Sequence, residues 1–394
     1  MAGVVSHAYA CAVVFLVSFA LTTPLHAAGS IADLGELAGG SSSRVTAISA
    51  DGAVVVGVSS INGEEHAFRW TRSAGMADLG SLPGAKRSLA LGVSADGAVV
   101  VGDSRFLDGT VQAFRWTQSG GMVDLGSLPD SKRYRVLGVS ADATVVAGNR
   151  RTSADTQAYR WTQSGGMSGL SPLSGAEVSS VIGVSADGAV VVGNSVDAKD
   201  NTQAFRWTQS GGTVGLGFLP GAIASTAEMV SADGLVVAGR SGTPGVDSHA
   251  FRWTPSAGMT SLDVLPGGTQ SVVITGLSAD GAVMVGFGDI DKGRYRAFRW
   301  TKSGGMLVLG DVPSGYEHSY ATAVSADGAV VAGRLGTRDG KQQAFRWTKS
   351  GGTKILDMLP GSAMSAATHV SANGAVVVGQ VEGRSGTRVF RWVQ

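Results

Sequence analysis

Basic side chains are concentrated in one stretch of this sequence, between positions 86 and 151. The lysines and arginines of interest there are Lys86, Arg87, Lys132, Arg133, Arg135, Arg150 and Arg151. Ammonium and guanidinium groups gathered on one surface attract anions, and guanidinium groups bind carboxylate and phosphate oxygens in pairs. Such a group could hold an anionic polysaccharide or the headgroup of a surface lipid. A solvated charged rim that binds nothing is the alternative, and the sequence leaves both open.

Aromatic side chains form a second candidate group further along the chain. They are Phe287, Tyr295, Tyr316, His318 and Tyr320, and three of the six tyrosines of the protein fall in this stretch. A ring with a polar tip packs well against a sugar or a protein partner. Local packing within a long loop is the alternative interpretation of the same residues.

The sequence lacks the familiar signatures of catalysis and metal binding. It contains no Gly-x-Ser-x-Gly, no His-Glu-x-x-His and no phosphate-binding loop. The histidines that follow position 28 are widely separated in the chain, namely His66, His249, His318 and His369. A multi-histidine metal site is therefore not expected. We predict no catalytic residue, no metal and no cofactor.

Two motifs that recur along the chain define the elements that must position these side chains. Ser-Ala-Asp-Gly, with two variants, begins at Ser49, Ser94, Ser140, Ser185, Ser231, Ser278, Ser325 and Ser371. Phe-Arg-Trp ends at each of the eight tryptophans, with Tyr159 replacing the Phe once. Successive serines are 45 to 47 residues apart, so near-identical repeats fill the chain from about Ile31 to Gln394. We number the repeats 1 to 8 by these serines.

Each repeat is predicted to contain four short strands, which we name a, b, c and d. Examples are strand a at 136–140, strand b at 98–102, strand c at 113–117 and strand d at 122–126. Asp-Gly after strand a is a strong hairpin signal, because glycine accepts the positive φ that the turn needs. A four-stranded unit of this length, repeated four to eight times, is typical of a β-propeller. The sequence thus predicts an all-β fold, an eight-bladed β-propeller of four-stranded blades.

The two ends of the repeat region predict how such a ring closes. Residues 31–37 match strand d, whereas the chain ends in strand c of repeat 8. We expect residues 31–37 to pair beside residues 388–393 and complete the last blade, which removes open ends. An open β-solenoid is the alternative, but its end units would carry capping sequence, and none is visible.

Residues that recur in every repeat are expected to be structural. The turn aspartates can accept a backbone N–H within their own turn, and the Phe-Arg-Trp arginines can bridge to a neighbouring turn or strand. Function should lie where the repeats differ, which is in the b–c and d–a loops. Both candidate groups, the basic one and the aromatic one, are assigned to these loops.

The repeat resembles the HAF family of extracellular repeats, which takes its name from His-Ala-Phe. That triplet is present at 66–68 and 249–251, and Gln or Arg takes its first place in the other repeats. The similarity extends over all eight repeats. It implies an extracellular repeat protein and supplies no catalytic residues.

Residues 1–28 are predicted to be a secretory signal peptide. An uncharged apolar run of 18 residues, from Ala8 to Leu25, is followed by small residues up to Ala28, which is the layout of such a signal. An uncleaved membrane anchor is the alternative. The single Cys, Cys11, lies in this segment, so the mature domain, residues 29–394, would suit an oxidising compartment. We expect a secreted protein, extracellular or periplasmic, without a stable membrane span.

Charge and composition exclude other classes of protein. The chain has 31 basic and 30 acidic residues, so it lacks the basic excess of nucleic-acid-binding proteins. An apolar fraction of 43% with only 15% charged residues argues against a disordered chain. We expect a monomeric, non-enzymatic recognition protein that binds a glycan or a protein through its variable loops. A secreted hydrolase or lyase acting on polysaccharide, with its site at the axial mouth, is the alternative.

Overall fold

The computed structural model shows an all-β chain. It describes residues 29–152, 155–243, 247–262, 264–268, 272–291, 293–310, 312–383 and 386–394. The predicted signal peptide, residues 1–28, lies outside these ranges. The described residues form strands and turns and contain no helix. Accordingly, no helix in this part of the chain is long and apolar enough to cross a bilayer.

Thirty-two strands follow the predicted order of a, b, c and d. The a strands are β2 (Gly40–Ile48), β6 (Arg87–Val93), β10 (Arg133–Val139), β14 (Ala176–Val184), β18 (Ala224–Val230), β22 (Val272–Leu277), β26 (His318–Val324) and β30 (Ser362–Val370). The b strands are β3 (Val54–Ile61), β7 (Val99–Arg105), β11 (Val145–Arg151), β15 (Val190–Asp197), β19 (Val237–Thr243), β23 (Val283–Asp291), β27 (Val330–Gly336) and β31 (Val376–Gly383).

The two outer strands of each repeat continue the same order. The c strands are β4 (Glu64–Thr71), β8 (Val111–Thr117), β12 (Thr156–Thr162), β16 (Thr202–Thr208), β20 (Asp247–Thr254), β24 (Arg294–Thr301), β28 (Gln342–Thr348) and β32 (Gly386–Val393). The d strands are β5 (Gly75–Asp78), β9 (Gly121–Asp124), β13 (Gly166–Gly169), β17 (Gly212–Gly215), β21 (Gly258–Ser261), β25 (Gly305–Val308) and β29 (Gly352–Ile355), together with β1 (Ser30–Asp33).

Antiparallel pairing in the order a–b–c–d gives six four-stranded sheets and one eight-stranded sheet. The eight-stranded sheet consists of repeats 2 and 3, which a single parallel pair between Val111 and Arg133 connects. The prediction of an all-β chain of four-stranded units is confirmed.

Strand b carries the core of each sheet because both of its faces are covered. In β7, Val99 is 7% exposed, and Val100 and Val101 are fully buried. Gly102 follows them because the Phe114 ring lies directly over the strand: a Cβ at this position would be 2.8 Å from the ring and 1.9 Å from the carbonyl oxygen of Leu89. The position of the aromatic ring of strand c therefore requires a residue without a side chain at this point of strand b.

The first strand of the chain is the fourth strand of the last sheet. β1 pairs antiparallel with β32, with Ser30 opposite Val393 and Asp33 opposite Phe390. The segment after β1 also packs down, since Leu34 and Leu37 are 3% and 5% exposed. These residues lie in a shared apolar cluster with strands of repeats 1 and 8.

The side chains of the Ser-Ala-Asp-Gly turn form hydrogen bonds within the turn itself, which agrees with the structural role expected for a recurring motif. In repeat 1, Ser49 Oγ donates to Asp51 Oδ1 at 2.6 Å, and Asp51 Oδ1 accepts from the Ala53 amide at 2.9 Å. The hydrogen bond from Ser49, with the one from Ala53, lowers the pKa of the Asp51 carboxyl. The turn aspartate is thus an ionised structural acceptor.

The eight turns are hydrogen-bonded to one another in a cycle. In each turn the alanine amide donates to the alanine carbonyl of the next turn at 2.8 to 2.9 Å, beginning with Ala50 to Ala95. The last bond, from the Ala372 amide to the Ala50 carbonyl at 2.8 Å, returns to the first turn. The members of the cycle are Ala50, Ala95, Ala141, Ala186, Ala232, Ala279, Ala326 and Ala372.

Arginine side chains of strand c tie each sheet to the next turn. Arg69 donates from Nε and Nη2 to the Gly97 carbonyl, at 3.2 and 3.1 Å, and its guanidinium carbon lies 5.9 Å from the centre of the Trp116 ring. The arginines that donate to the equivalent carbonyl are Arg69, Arg160, Arg206, Arg252, Arg299, Arg346 and Arg391. The predicted bridging role of these arginines is confirmed.

The joint between repeats 2 and 3 departs from this pattern. Arg115 makes no hydrogen bond to the next turn, and its buried Nε has no partner. The turn it would reach has Ala143 in place of glycine, at a φ of 53°. At the equivalent Gly97, a Cβ would lie 2.3 Å from Val54 Cγ2. This turn keeps its hydrogen bonds to the neighbouring turns, from Ala95 and to Ala186, so the difference is local. We infer that the methyl group of Ala143 keeps the carbonyl of this residue out of reach of Arg115.

Replacing Ala143 by glycine should stabilise the protein by about 1 kcal/mol, because it relieves left-handed backbone strain and restores the acceptor of Arg115. Urea denaturation followed by tryptophan fluorescence would measure the change. Gly97→Ala is the matched control, and it should destabilise by more than this, since its φ is +73° and its Cβ would overlap Val54. An Ala143→Gly protein no more stable than the wild type would contradict this account.

Candidate functional site

Six of the seven predicted basic residues line one cavity of about 720 Å³ at the ends of repeats 2 and 3. The basic side chains of the lining are Lys86, Arg87, Arg105, Arg133, Arg135, Arg150 and Arg151. We call this space the basic cavity. Arg105 was not among the predicted residues, although it ends strand β7 beside them. Lys132 is exposed and outside the lining, and its carbonyl accepts a hydrogen bond from the Val111 amide at 2.8 Å.

Most of these side chains extend from strand ends and not from loops, contrary to the prediction. Arg133 and Arg135 belong to β10, and Arg150 and Arg151 end β11. The reason is that the antiparallel ladder continues beyond the apolar core, with Arg133 directly opposite Arg151. Backbone pairing thus fixes the positions of the Cα atoms that carry these side chains.

Like charges face each other across both strand pairs of the cavity. Arg87 is opposite Arg105, and Arg133 is opposite Arg151. Directly opposed like charges destabilise an antiparallel pair. Arg105 forms an ion pair with Glu65 at 3.5 Å. Among the described residues, the other six basic groups form no ion pair. An anionic ligand would relieve this repulsion.

Neutral acceptors hold two of these arginines in place. Arg150 donates to the Pro129 carbonyl at 3.1 Å, to Ser131 Oγ at 3.0 Å and to Gln157 Oε1 at 2.6 Å. Arg133 Nε donates to the Gly109 carbonyl at 3.0 Å. These contacts orient the guanidinium groups without neutralising them, which is how a preformed anion site is built.

Asp103 is a buried carboxyl in the wall of the basic cavity. It is 2% exposed, and its Oδ1 accepts from the Val136 amide at 2.9 Å. Burial raises the pKa of Asp103 to about 7, against the opposing effects of the Val136 hydrogen bond and of Arg135 and Arg105. Sequence reasoning missed this residue because its burial depends on strands that are distant in the sequence.

The position of Asp103 has a structural counterpart in the next two repeats. Asn149 Oδ1 accepts from the Val181 amide, and Asn194 Oδ1 accepts from the Ala227 amide, both at 2.7 Å. Each side chain therefore joins strand b to strand a of the following repeat. Asp103 makes the same bond with a group that can ionise.

Two tyrosines pack together at the basic cavity, Tyr134 in its lining and Tyr159 outside the lining. The Tyr134 hydroxyl donates to the Leu128 carbonyl at 3.1 Å and accepts from the Leu128 amide at 2.6 Å. Tyr159 packs edge-on against it, with ring centres 5.6 Å apart, and the buried Tyr159 hydroxyl has no partner. Burial, and secondly the neighbouring Asp103, raises the pKa of Tyr159. The Tyr159 hydroxyl therefore stays neutral at physiological pH.

Four of the five predicted aromatic residues form one cluster, which we call the aromatic cluster. Phe287 lies 5.9 Å from Tyr295 and 5.0 Å from Tyr320, and both contacts are edge-to-face. His318 completes it at 6.1 Å from each tyrosine. The guanidinium of Arg334 covers the Tyr320 ring at 4.6 Å. The rings are half-buried and pack on one another.

Tyr316 does not belong to the aromatic cluster. Its hydroxyl donates to Gln343 Oε1, and its ring packs against the apolar cluster of repeats 6 and 7. This contact ties the d–a loop to the next sheet. Mutual packing of the other four rings supports the packing interpretation for this part of the chain.

A second cavity, of about 520 Å³, is lined by the a strands of repeats 3 to 8. His369 is its titratable group, and burial lowers the pKa of this histidine to about 4. Glu228, which precedes Met229 in strand β18, is not part of this lining, and it accepts from Arg240 Nε at 2.7 Å. Within the described part of the chain no group of three or more His, Cys, Asp or Glu side chains could hold a metal ion.

No family model matches the sequence, and no curated protein matches it closely enough to count as a relative. The resemblance to the HAF repeats therefore stays a prediction. Solved structures do match the fold. A dipeptidyl peptidase 4 from Porphyromonas gingivalis has a TM-score of 0.60 at 12% identity, over 91% of this chain and 60% of that one.

Two other solved structures match this chain, and the match covers different shares of their lengths. A prolyl endopeptidase structure has a TM-score of 0.59 at 11% identity, over 87% of this chain and 55% of that one. An oligogalacturonate lyase from Vibrio parahaemolyticus has a TM-score of 0.52 at 11% identity, over 92% of this chain and 93% of that one. The chain thus spans little more than half of the two peptidases. At these identities the likeness is one of fold, and the chain has an all-β, propeller-type fold.

Proposed function

We propose that residues 29–394 form one secreted, monomeric propeller of eight four-stranded blades, which β1 closes by completing the last blade. The pairing of β1 with β32 supports this arrangement, as does the cycle of alanine hydrogen bonds that returns to its first turn. The signal-like segment at residues 1–28 supports export.

We further propose that the basic cavity binds an acidic oligosaccharide. The observation that carries this proposal is the convergence of seven basic side chains on one cavity, six of them without an ion pair among the described residues. The protein as a whole has a net charge of +1, so the positive charge is a local feature.

An enzyme acting on that oligosaccharide is the second candidate, and the comparisons favour it over binding without chemistry. The three structures reported above are all of enzymes, and the oligogalacturonate lyase matches over nearly its full length. Asp103, with a pKa of about 7, is suited to proton transfer near neutral pH. In that case the site lies at the basic cavity, and no metal or cofactor is proposed.

Calorimetric titration of residues 29–394 with galacturonate oligosaccharides, heparin-derived oligosaccharides and neutral maltooligosaccharides would test the binding proposal. The two acidic probes should bind, and their affinity should fall as salt is added. A double Arg133→Gln, Arg135→Gln variant should lose at least about tenfold in affinity, because two charge-assisted contacts disappear.

Lys132→Gln is the matched control, since Lys132 lies beside these arginines but outside the cavity. Its affinity should stay within about twofold of the wild type. Equal binding of neutral and acidic probes would overturn the proposal. Loss of binding in Tyr316→Ala and Tyr320→Ala, with the arginine variants unaffected, would instead place the site at the aromatic cluster and the neighbouring Tyr316.

Incubation of the same mixtures separates the enzyme from the binding protein. β-Elimination leaves a conjugated double bond that absorbs in the ultraviolet, whereas hydrolysis yields new reducing ends without that absorbance. Either product would establish the enzyme, and bound but unchanged oligosaccharide would establish recognition alone.

A further inference from the structure

Asp103 is the acidic member of a position that varies among the repeats. The residue that follows the strand-b glycine is Val58, Asp103, Asn149, Asn194, Arg240, Phe287, Arg334 or Gln380. Asp103 is thus the only residue of these eight with a carboxyl group, and it lies in repeat 2, one of the two repeats at whose ends the basic cavity lies. Its hydrogen bond to the next repeat does not require a carboxyl, because Asn149 and Asn194 make the same bond.

We propose that anion binding in the basic cavity is coupled to proton uptake by Asp103, so that the cavity binds its ligand with this carboxyl neutral and releases it as the carboxyl ionises. The inference rests on the proposed function of the cavity and assigns its regulation. The proton comes from solvent and is taken up on a carboxyl oxygen of Asp103 when the ligand enters.

The groups that face Asp103 make it the titrating member of the site. Arg105 lies two residues along β7 and so points to the same face, and Arg135 adjoins Val136 on the next sheet. Tyr134 and Tyr159 lie behind it. Burial raises the pKa of Tyr159, so this hydroxyl stays neutral near neutral pH.

Besides the arginines and Asp103, the charged groups of the lining are Lys86 and the half-buried Glu64. The lining contains no histidine. Asp103, which burial keeps partly protonated to about pH 7, therefore controls the charge of the cavity across the physiological range.

The direction of the effect follows from electrostatics. An ionised Asp103 repels an anionic ligand and partly neutralises Arg105 and Arg135, so ligand affinity is lower when the carboxyl is charged. By the same interaction a bound anion raises the pKa of Asp103 further, and binding near neutral pH takes up protons. Affinity should therefore be highest below pH 7 and should decrease as pH rises through this value.

A heparin-derived tetrasaccharide is the appropriate probe, because its sulfate groups keep their charge throughout this range. Its affinity for residues 29–394 should fall by about tenfold or more between about pH 5.5 and about pH 8.5, which corresponds to one pKa unit or more of coupling. Titrations near pH 7 in buffers with different ionisation enthalpies should show uptake of a fraction of one proton per bound ligand.

Asp103→Asn should bind the tetrasaccharide with the same affinity at both pH values and without proton uptake. The side-chain oxygen of the asparagine can accept a hydrogen bond from the Val136 backbone N–H, as Asn149 and Asn194 accept from the equivalent backbone N–H groups. The variant is therefore expected to fold. Glu64→Gln is the matched control within the lining, and it should keep the pH dependence of the wild type.

Two failures are distinguishable. Absence of binding at about pH 5.5, where the ligand and the arginines are charged, would overturn the proposed function. Binding at both pH values without proton uptake, or a pH dependence that persists in Asp103→Asn, would overturn the coupling alone. Should Asp103→Asn fail to fold, the buffer series on the wild-type protein decides.

Discussion

A protein that begins at residue 38 should melt at least about 10 °C below one that begins at residue 29. The deletion removes β1 from the edge of β32 and exposes Trp392, which is 1% exposed in the intact chain. It also removes the buried side chains of Leu34 and Leu37, each of which contributes about 2–3 kcal/mol. For a domain of this size 1 kcal/mol corresponds to about 2–4 °C.

Differential scanning calorimetry on the two proteins would measure this change. Glu36→Ala, a substitution of an exposed residue in the same segment, is the control and should leave the melting temperature unchanged. Leu34→Ala should fall between the two. An unchanged melting temperature in the truncated protein would support an open stack of sheets in place of a closed ring.

Asp103→Asn should stabilise the protein at alkaline pH by on the order of 3–4 kcal/mol. In the unfolded chain this carboxyl ionises near its ordinary pKa of 3.8, whereas in the folded protein its pKa is about 7. Between these values the folded state holds a proton that the unfolded state has lost. The free energy of unfolding therefore decreases as pH rises from about 4 to about 7 and stays low above that.

The asparagine variant should lose this slope and match the wild type below about pH 4, where the aspartate is neutral in both states. Urea denaturation at several pH values would measure both curves. Asp124→Asn is the control: Asp124 is exposed and accepts from the Gly126 amide at 2.9 Å, so its replacement should change stability by less than about 0.5 kcal/mol. Parallel curves for Asp103→Asn and the wild type would refute the buried, protonated carboxyl.

Much of the fold was predictable because each structural device recurs. The turn serine and aspartate, the strand-b glycine and the strand-c Phe and Arg each keep one role in successive repeats, so a single pattern is read several times. The pairing of β1 with β32 follows from the same logic, since Ile31 to Leu37 repeat a strand-d pattern that the end of the chain lacks.

The candidate site was predictable only in part, because it depends on how far each ladder continues. Sequence spacing placed Arg133 and Arg151 in separate loops, whereas backbone pairing sets them directly opposite each other. The burial of Asp103 could not be read from its neighbours either, since it depends on the adjoining sheet. Tyr316 was grouped with Tyr320 by proximity in sequence, but its hydroxyl faces Gln343.

The exchange of glycine for Ala143 has a consequence that extends beyond its own turn. At the cavity end, the backbone pair of Val111 and Arg133 connects repeats 2 and 3. At the turn end, Arg115 does not form the hydrogen bond that the equivalent arginines form with the next turn. Repeats 2 and 3 are thus joined by this backbone pair at the cavity end and by the hydrogen bond from Ala95 to Ala141 at the turn end, without the arginine contact of the other joints. The methyl group of Ala143 lies about 20 Å from the basic side chains, at the rise of a seven-residue strand. We expect variation at this distant turn to change how firmly repeats 2 and 3 are held together without altering any residue that lines the basic cavity.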